Sequence, residues 1–477
     1  MKAELLQANR VWLLTPENEV AFKQIWGCIL KYLGYDLNVS LEDLEHGTNL
    51  VNSKSEVQLN GMSNEEVATK KDKRSKKGEE LGRSAGETVE WLRGVEACDL
   101  PPAYTTEYTR CLCMRLQGLN SGEKEPVPRI QNGNAPGKHQ HKTLVRQHHE
   151  MGKSKPEEIH QSIYRALRND IIDNSLLRFC RARRFNVHDT LEMFFKAMNW
   201  RQHQYPLDTY IYDGDTEVYF EGKHPEFIEA FKLNQVYIRG QDKFGYPVVV
   251  IRVKEHFRHN CPDADFERFI CLIIENTRLC TKDFQRGTDS ASILFDMTGF
   301  TLKNADLAAI KFLITALEAN YPECLGSVCV HNAPWVFNTV WKLIKGWVNP
   351  DITKKIHFTN SIKDLEKFIP VENIPARLGG KDDFTPKYIV GTHEDSDKKQ
   401  KDSRYDTLIK ERGETFMMFV EATIKWIDAK TPEQSKQYLE HKIKLGILSA
   451  QNYIQLDPYL RSRGVFDRNG AIGPIGY

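Results

Sequence analysis

An α/β fold on a mostly parallel sheet is predicted for the middle of this 477-residue chain, and three observations predict it. Short runs with the β-branched and aromatic composition of strands occur at Gln235–Ile238, Pro247–Val253, Ala291–Phe295 and Ser327–Val330. Segments of helical period at Phe266–Leu279 and Asn304–Asn320 fall between the later runs. Strands that alternate with helices imply βαβ units, and therefore parallel neighbours. The third observation is a change in composition near Pro156, where periodic apolar residues (Ile159, Ile163, Leu167, Ile171) replace a long polar stretch.

Taken in order, residues 1–50 form an N-terminal flank with one helix, Glu17 to Leu33, whose Phe22, Ile25, Trp26, Ile29 and Leu30 share a face. Residues 51–155 read as a largely disordered polar linker with room for short helices. Its stretches 52–80 and 118–155 cannot bury enough apolar area to offset chain entropy. His139, His141, His148 and His149 lie in the second of these. No cysteine or carboxylate is arranged around them, so a solvated segment is expected there rather than a metal site. Residues 156–223 form a small all-helical part, in which SLLRFCRARRFNVHDTLEMFFKAMNWR gives two helices hinged at Phe185–Asn186. Residues 224–384 carry the sheet. A polar break at 385–404 leads to a helical C-terminal region, 405–477, with helices near Tyr405–Asp428 and Pro432–Tyr453.

Bulk properties remove several function classes. A net charge of +1 gives no polyelectrolyte argument for nucleic acid. The start, MKAELLQANR, has no apolar core of a secretory signal, and no run approaches the ~18 apolar residues of a spanning helix. Lys2 and the ending GPIGY signal no lipid anchor, so any membrane contact is expected to be reversible. The ten cysteines form no C-x-x-C pair and read as small buried hydrophobes of a reducing compartment. No G-x-S-x-G, Walker loop, H-E-x-x-H or dinucleotide glycine motif occurs, so neither an enzyme nor a cofactor is expected.

Three segments remain. Arg181-Ala182-Arg183-Arg184 follows an apolar helix; alone, it is a solvated basic edge. Tyr321-Pro322-Glu323 stops a long apolar helix. The third begins at Ala333-Pro334-Trp335. There Trp335, Val336, Phe337, Val340, Trp341, Leu343, Ile344, Trp347 and Val348 cover more than one helix face. A surface helix shows one apolar stripe; this one is either buried or meets a second apolar phase.

LLRFCRARRF with its Asn199-Trp200-Arg201 ending, then SILFDMTGF, YPECLGSVCVHNAPWVF, NPDITKKIHF and IPARLGG, resemble the CRAL-TRIO lipid-binding family in order and spacing over residues 156–384. The flanks TPENEVAFKQIWGCILKYLGY and NYIQLDPYLRSRGVFDR resemble the CSR-type branch of the fungal phosphatidylinositol transfer proteins.

The resemblance implies a sheet that floors an apolar lipid cavity closed by a gate helix. It also implies exchange of phosphatidylinositol for a second lipid, transient bilayer contact, and stimulation of lipid kinases. The headgroup residues it implies fall on Arg183, Glu323 and Lys355, and the gate's glycine pair on Gly379 and Gly380. The gate itself is Trp335–Val348, with Trp335, Phe337, Val340, Trp341, Ile344 and Trp347 as its cavity and membrane contacts. In choline-lipid-binding relatives hydroxyl-bearing residues occupy the positions of Ala291, Ile293 and Val249. Their apolar character here implies a neutral second ligand such as a sterol or squalene. A cytoplasmic protein that visits endoplasmic reticulum, endosome or lipid droplet membranes is expected; a static lipid-sensing scaffold is the alternative.

Physical reasoning supports a pocket. Two acyl chains of about 30 methylenes, at roughly 0.8 kcal/mol each, cost about 24 kcal/mol in water. Arg183 and Lys355 suit a phosphodiester, and Glu323 suits inositol hydroxyls.

Overall fold

The computed structural model describes residues 10–54, 138–281, 288–396 and 401–473. Most of the expected linker, residues 55–137, lies outside them.

The helical body starts with α1 (Pro16–Tyr32), which has Pro16 in its first turn and the Thr15 hydroxyl accepting from the Asn18 amide. Its apolar stripe, Phe22, Ile25, Trp26 and Ile29, is buried. The next described helix, α2 (Lys138–Gln147), and a 3₁₀ turn at His149–Lys153 correct the reading of residues 138–155 as linker. Leu144 and Met151 enter the same core as α1. They lie seven residues apart among lysines and histidines, so composition concealed a narrow helical stripe. His148 is buried beside His188 with ring centroids 5.1 Å apart, and no metal-ligating group forms among the described residues.

Helices α3 (Pro156–Ala166), α4 (Ile172–Ala182) and α5 (Val187–Asn199) complete this part. Between α4 and α5 the chain turns through Arg184 (φ 50°) and Phe185 (φ 60°), and the Asn186 side chain caps α5 by accepting from the Asp189 amide. The hinge therefore lies where the sequence predicts it.

The sheet holds β1 (Val236–Gln241), β2 (Pro247–Arg252), β3 (Ala291–Asp296), β4 (Leu325–His331) and β5 (Ile356–Thr359), in that spatial order. β1 and β2 form an antiparallel hairpin, and every other pair is parallel. The crossovers carry α6 (Asp263–Cys280), α7 (Leu307–Thr315, extended by a π-turn to Asn320) and α8 (Phe337–Lys345). The four-residue β5 follows two lysines and is too short to show an alternating signal.

Strand alternation divides the sheet into two faces. Val248, Val250, Leu294 and Cys329 pack with Tyr237, Leu365, Ile369, Ile374 and Leu378. The opposite face carries the aligned row Val249, Ile293, Val328 and Ile356.

Helices α9 (Ser403–Ile427) and α10 (Pro432–Leu460) form an antiparallel pair, and α10 runs beyond the expected end at Tyr453. They share one core with α1 to α5. The two ends of the sequence, read as separate flanks, thus fold together. Lys442 of α10 is fully buried, 3.1 Å from Asp173 and 3.9 Å over the Trp426 ring. Phe466 and Ile472 return to pack with Phe227 and Phe231. Part of the expected 385–404 break is also tied down, since Tyr388 donates to Asp215.

Candidate functional site

The row Val249–Ile293–Val328–Ile356 floors a cavity of about 280 Å³. Ile270, Ile273 and Ile274 of α6, Ile310 and Leu313 of α7, and Phe337, Val340 and Ile344 of α8 supply much of its apolar wall. Ala291, Ile293 and Val249, expected to contact a second ligand, all line it, and Val249 pairs directly with Ile293. No hydroxyl occupies those three positions, and a phosphocholine there would lack polar partners.

α7 and α8 cover the cavity. α7 is apolar on nearly every side, yet none of its residues is fully buried. The Asn349 amide, just beyond α8, donates to Glu318 beside α7 at 2.7 Å. The expected gate Trp335–Val348 is helical only over Phe337–Lys345, because Trp335 stands in the turn after Pro334 and Gly346 ends the helix.

The segment Trp335–Val348 has two distinct apolar faces. Phe337, Val340, Trp341 and Ile344 face the cavity. Trp335 (82 % exposed), Leu343 and Trp347 face solvent, as does Phe358 of β5. This outward face is apolar as well. Lys342 and Lys345 are exposed between these residues.

The two ends of the cavity differ. At the N-terminal ends of β3 and β4 lie Asp170, Arg178, Arg278 and Asp289. They continue into a buried ionic network that the sequence reading missed. Arg178 and Arg278 both hold Asp170. Arg168, Arg201 and Arg278 surround Glu275, which also accepts from the Tyr321 hydroxyl. Burial alone would raise the Glu275 pKa, but Arg201, Arg278 and Arg168 hold it well below the usual carboxylate range. The network joins α4 to α6 and fixes Tyr321, two residues before Glu323. Its signal in the sequence was weak: charged residues on otherwise apolar helices.

Glu323 and Lys355 come together on the surface just outside this end, next to the cavity-lining Cys324 and Ile356. Their charged atoms are 3.9 Å apart, and Lys355 Nζ donates to the Leu325 carbonyl at 2.7 Å. Glu323 holds φ 56°, a left-handed conformation uncommon for this residue type. Arg183 is exposed and donates to its neighbour Ala182's carbonyl. Its loop approaches the same edge through Arg184, 4.0 Å from Asp351.

Gly379 and Gly380 lie on the other side of the sheet, next to Leu378 and Ile374. Gly379 has φ 91°, and a Cβ at Gly380 would stand 2.0 Å from the Ile374 carbonyl oxygen. Backbone conformation at Gly379 and close packing at Gly380 thus give each glycine a static reason.

Fold and cavity define an α/β protein built around an apolar cavity between its sheet and a helical cover. Residues 144–196 match the family model of the CRAL/TRIO N-terminal domain, and residues 232–380 that of the CRAL/TRIO domain. The phosphatidylinositol transfer protein CSR1 of Eremothecium gossypii is 38% identical over 315 residues, 66% of this chain and 71% of that protein. The CRAL-TRIO domain-containing protein C3H8.02 of Schizosaccharomyces pombe is 31% identical over 67% of this chain and 70% of its own length. The Sec14 cytosolic factor of the same yeast is 28% identical over 44% of this chain and 70% of its own length. The chain belongs to the CRAL-TRIO family. The matched region begins at residue 144, inside α2, twelve residues before the boundary set by the change in composition near Pro156.

Among the described residues, no helix is long and apolar enough to cross a membrane.

Proposed function

We propose that this protein takes up phosphatidylinositol from one membrane and delivers it to another, exchanging it for a second, uncharged lipid held in the same cavity. The observation that carries this reading is the cavity itself: an apolar space floored by the sheet, roofed by α7 and α8, with an acid–base pair at its edge. Only an enclosed apolar site offsets the cost, about 0.8 kcal/mol per methylene, of holding acyl chains away from a bilayer. The similarity to the phosphatidylinositol transfer protein CSR1 supports the same ligand.

In this reading Lys355 and Arg183 meet the phosphodiester and Glu323 accepts from inositol hydroxyls. The acyl chains pass Cys324 and Ile356 into the cavity. Ala291, Ile293 and Val249 contact the second lipid, a sterol or squalene. The cover opens when Trp335, Leu343 and Trp347 enter a bilayer, with Gly379 and Gly380 transmitting the motion. The protein acts by presentation rather than chemistry, and lipid kinases acting on phosphatidylinositol are the partners that gain from it. Reversible visits to endoplasmic reticulum, endosome or lipid droplet surfaces follow from that role. Mass spectrometry of lipid extracted from the purified chain, with vesicle-to-vesicle transfer of phosphatidylinositol, tests the reading. Recovery of no lipid together with no transfer would overturn it.

A further inference from the structure

The residues at the entry to β3 tie together parts of the chain that carry Arg183 and Glu323, yet they are not among the expected headgroup residues. Asp289 and Ser290 are buried there. The Asp289 carboxylate meets a guanidinium on each oxygen. Arg181 Nη2 donates to Oδ2 at 3.2 Å, and Arg10 Nη2 stands 2.8 Å from Oδ1. The Ser290 hydroxyl donates to the Glu323 carbonyl at 3.2 Å, and the Ala291 amide donates to the Cys324 carbonyl at 2.8 Å.

These contacts fall on both sides of the headgroup edge. Arg181 lies in the last turn of α4, and its own carbonyl accepts from the Arg184 amide. Asp289 therefore anchors the turn that carries Arg183. Ser290 and Ala291 anchor the backbone of Glu323 and its neighbour, where Glu323 holds φ 56°. A left-handed conformation at such a residue persists only where its surroundings fix it, and the Ser290 hydroxyl supplies one fixing bond.

Arg10 comes from elsewhere in the chain. It lies in the N-terminal flank, outside residues 144–196 and 232–380 that match the family models. It is only 1 % exposed, and the amide of the next residue, Val11, donates to Asn174 Oδ1 of α4 at 3.2 Å. The flank is thus fastened to α4 and to Asp289 together. A carboxylate buried this deeply needs cations beside it. Its Oδ1 also stands 3.4 Å from the Ser290 hydroxyl, which has a single proton to give. With Arg10 paired to Oδ1, that proton is left to the Glu323 carbonyl. Without Arg10, the carboxylate oxygen competes for it.

We propose that Asp289, Ser290 and Arg10 are positioning residues for phosphatidylinositol, holding the Arg183 turn and the Glu323 backbone in place without touching the headgroup. The N-terminal flank is then part of the lipid-selecting machinery rather than a separate module. The proposal rests on the transfer reading and adds to it these three residues.

The test incubates the full chain with vesicles holding phosphatidylinositol and a diacylglycerol with the same acyl chains, which lacks the headgroup. Re-isolated protein is analysed for both lipids. Asp289 is left in place, because its loss would strand two guanidinium groups and endanger the fold. Ser290→Ala removes the hydroxyl, and Arg10→Met removes the charge while keeping an apolar stem. Each should lower phosphatidylinositol capture about fivefold, the effect of one lost hydrogen bond, with diacylglycerol capture as in the wild type. Arg10→Lys restores the cation and should recover most of the loss. Unchanged phosphatidylinositol capture in either Ser290→Ala or Arg10→Met overturns the inference. So does an equal fall of both lipids, which would make these residues supports of the fold alone. Wild-type protein that captures neither lipid overturns the transfer reading as well.

Discussion

Lys355 Nζ stands 3.9 Å from Glu323 Oε2 at the edge where β4 and β5 begin, and Glu323 holds that place with a left-handed backbone. Both side chains are partly exposed, so their mutual attraction contributes little to stability, on the order of 0–1 kcal/mol. A left-handed residue in a weak surface pair is open to two roles, binding a ligand or local packing.

The first prediction separates those two roles. Glu323→Ala with Lys355→Ala should abolish phosphatidylinositol transfer and leave the thermal midpoint nearly unchanged. Glu323→Gly should raise stability, by up to about 1 kcal/mol, because glycine adopts φ 56° freely, and should still weaken transfer. Calorimetry and a vesicle transfer assay on the same preparations check both. Transfer that survives the double substitution removes Glu323 and Lys355 from the headgroup site.

The chemistry of the floor sets the second prediction. Val249, Ile293 and Ala291 line the cavity without a hydroxyl among them. Phosphatidylcholine should move between vesicles at least about tenfold more slowly than phosphatidylinositol, since an unpartnered polar headgroup costs more than 1.4 kcal/mol. Equal rates for the two lipids, measured side by side, would contradict the assignment.

Much of this was legible in the sequence, and the reasons are specific. Four of the five strands and the turn at Phe185–Asn186 follow from β-branched runs and from a break in helical period. Val249 and Ile293 were placed at the pocket by family position alone. Residues 138–155 were misread because Leu144 and Met151 are the only buried apolar residues of a stripe otherwise made of histidine and lysine. The joining of both chain ends was invisible for another reason. Lys442, Trp426, Trp26 and Asp173 are far apart in sequence, and nothing local marks a lysine that will lie among aromatic rings.

That lysine gives the third prediction. Burial lowers the Lys442 pKa to about 8, against the pull of Asp173. Lys442→Met leaves Asp173 buried with only Trp26 Nε1 donating to it, and should cost about 3 kcal/mol. Lys442→Met with Asp173→Leu should recover most of that loss, because an apolar pair replaces a buried ionic one. Urea unfolding of the two variants checks the difference.

Acid stability supplies the fourth. His160 is buried against Phe416, and burial holds its pKa down to about 4, below its ordinary 6.5. A depressed folded-state value adds stability that is complete above pH 6.5 and lost as pH falls from there through 4. The amount is on the order of 3 kcal/mol. His160→Phe cannot titrate, so its stability should fall less than the wild type's across that window. Parallel acid limbs in a denaturation series would refute this.

The last prediction concerns the cover. Trp347 and Trp335, which flank α8, are exposed, whereas Trp341 lines the cavity. A charge at position 341 therefore enters an apolar wall and should cost stability as well as transfer, so it cannot isolate the membrane step. Trp347→Asp and Trp335→Asp can. Each replaces an interfacial aromatic with a carboxylate on the face bearing Lys342 and Lys345, the combination that favours anionic bilayers. Transfer should slow about tenfold per substitution, equivalent to 1.4 kcal/mol of lost interfacial contact, while the thermal midpoint stays within about 2 °C of wild type. Adding anionic vesicles should blue-shift tryptophan emission of the wild type, and less that of either variant. High salt should weaken the shift by screening the lysines. If transfer is unchanged in both variants and vesicles shift no emission, the outward residues of α8 are surface packing and the bilayer meets the protein elsewhere.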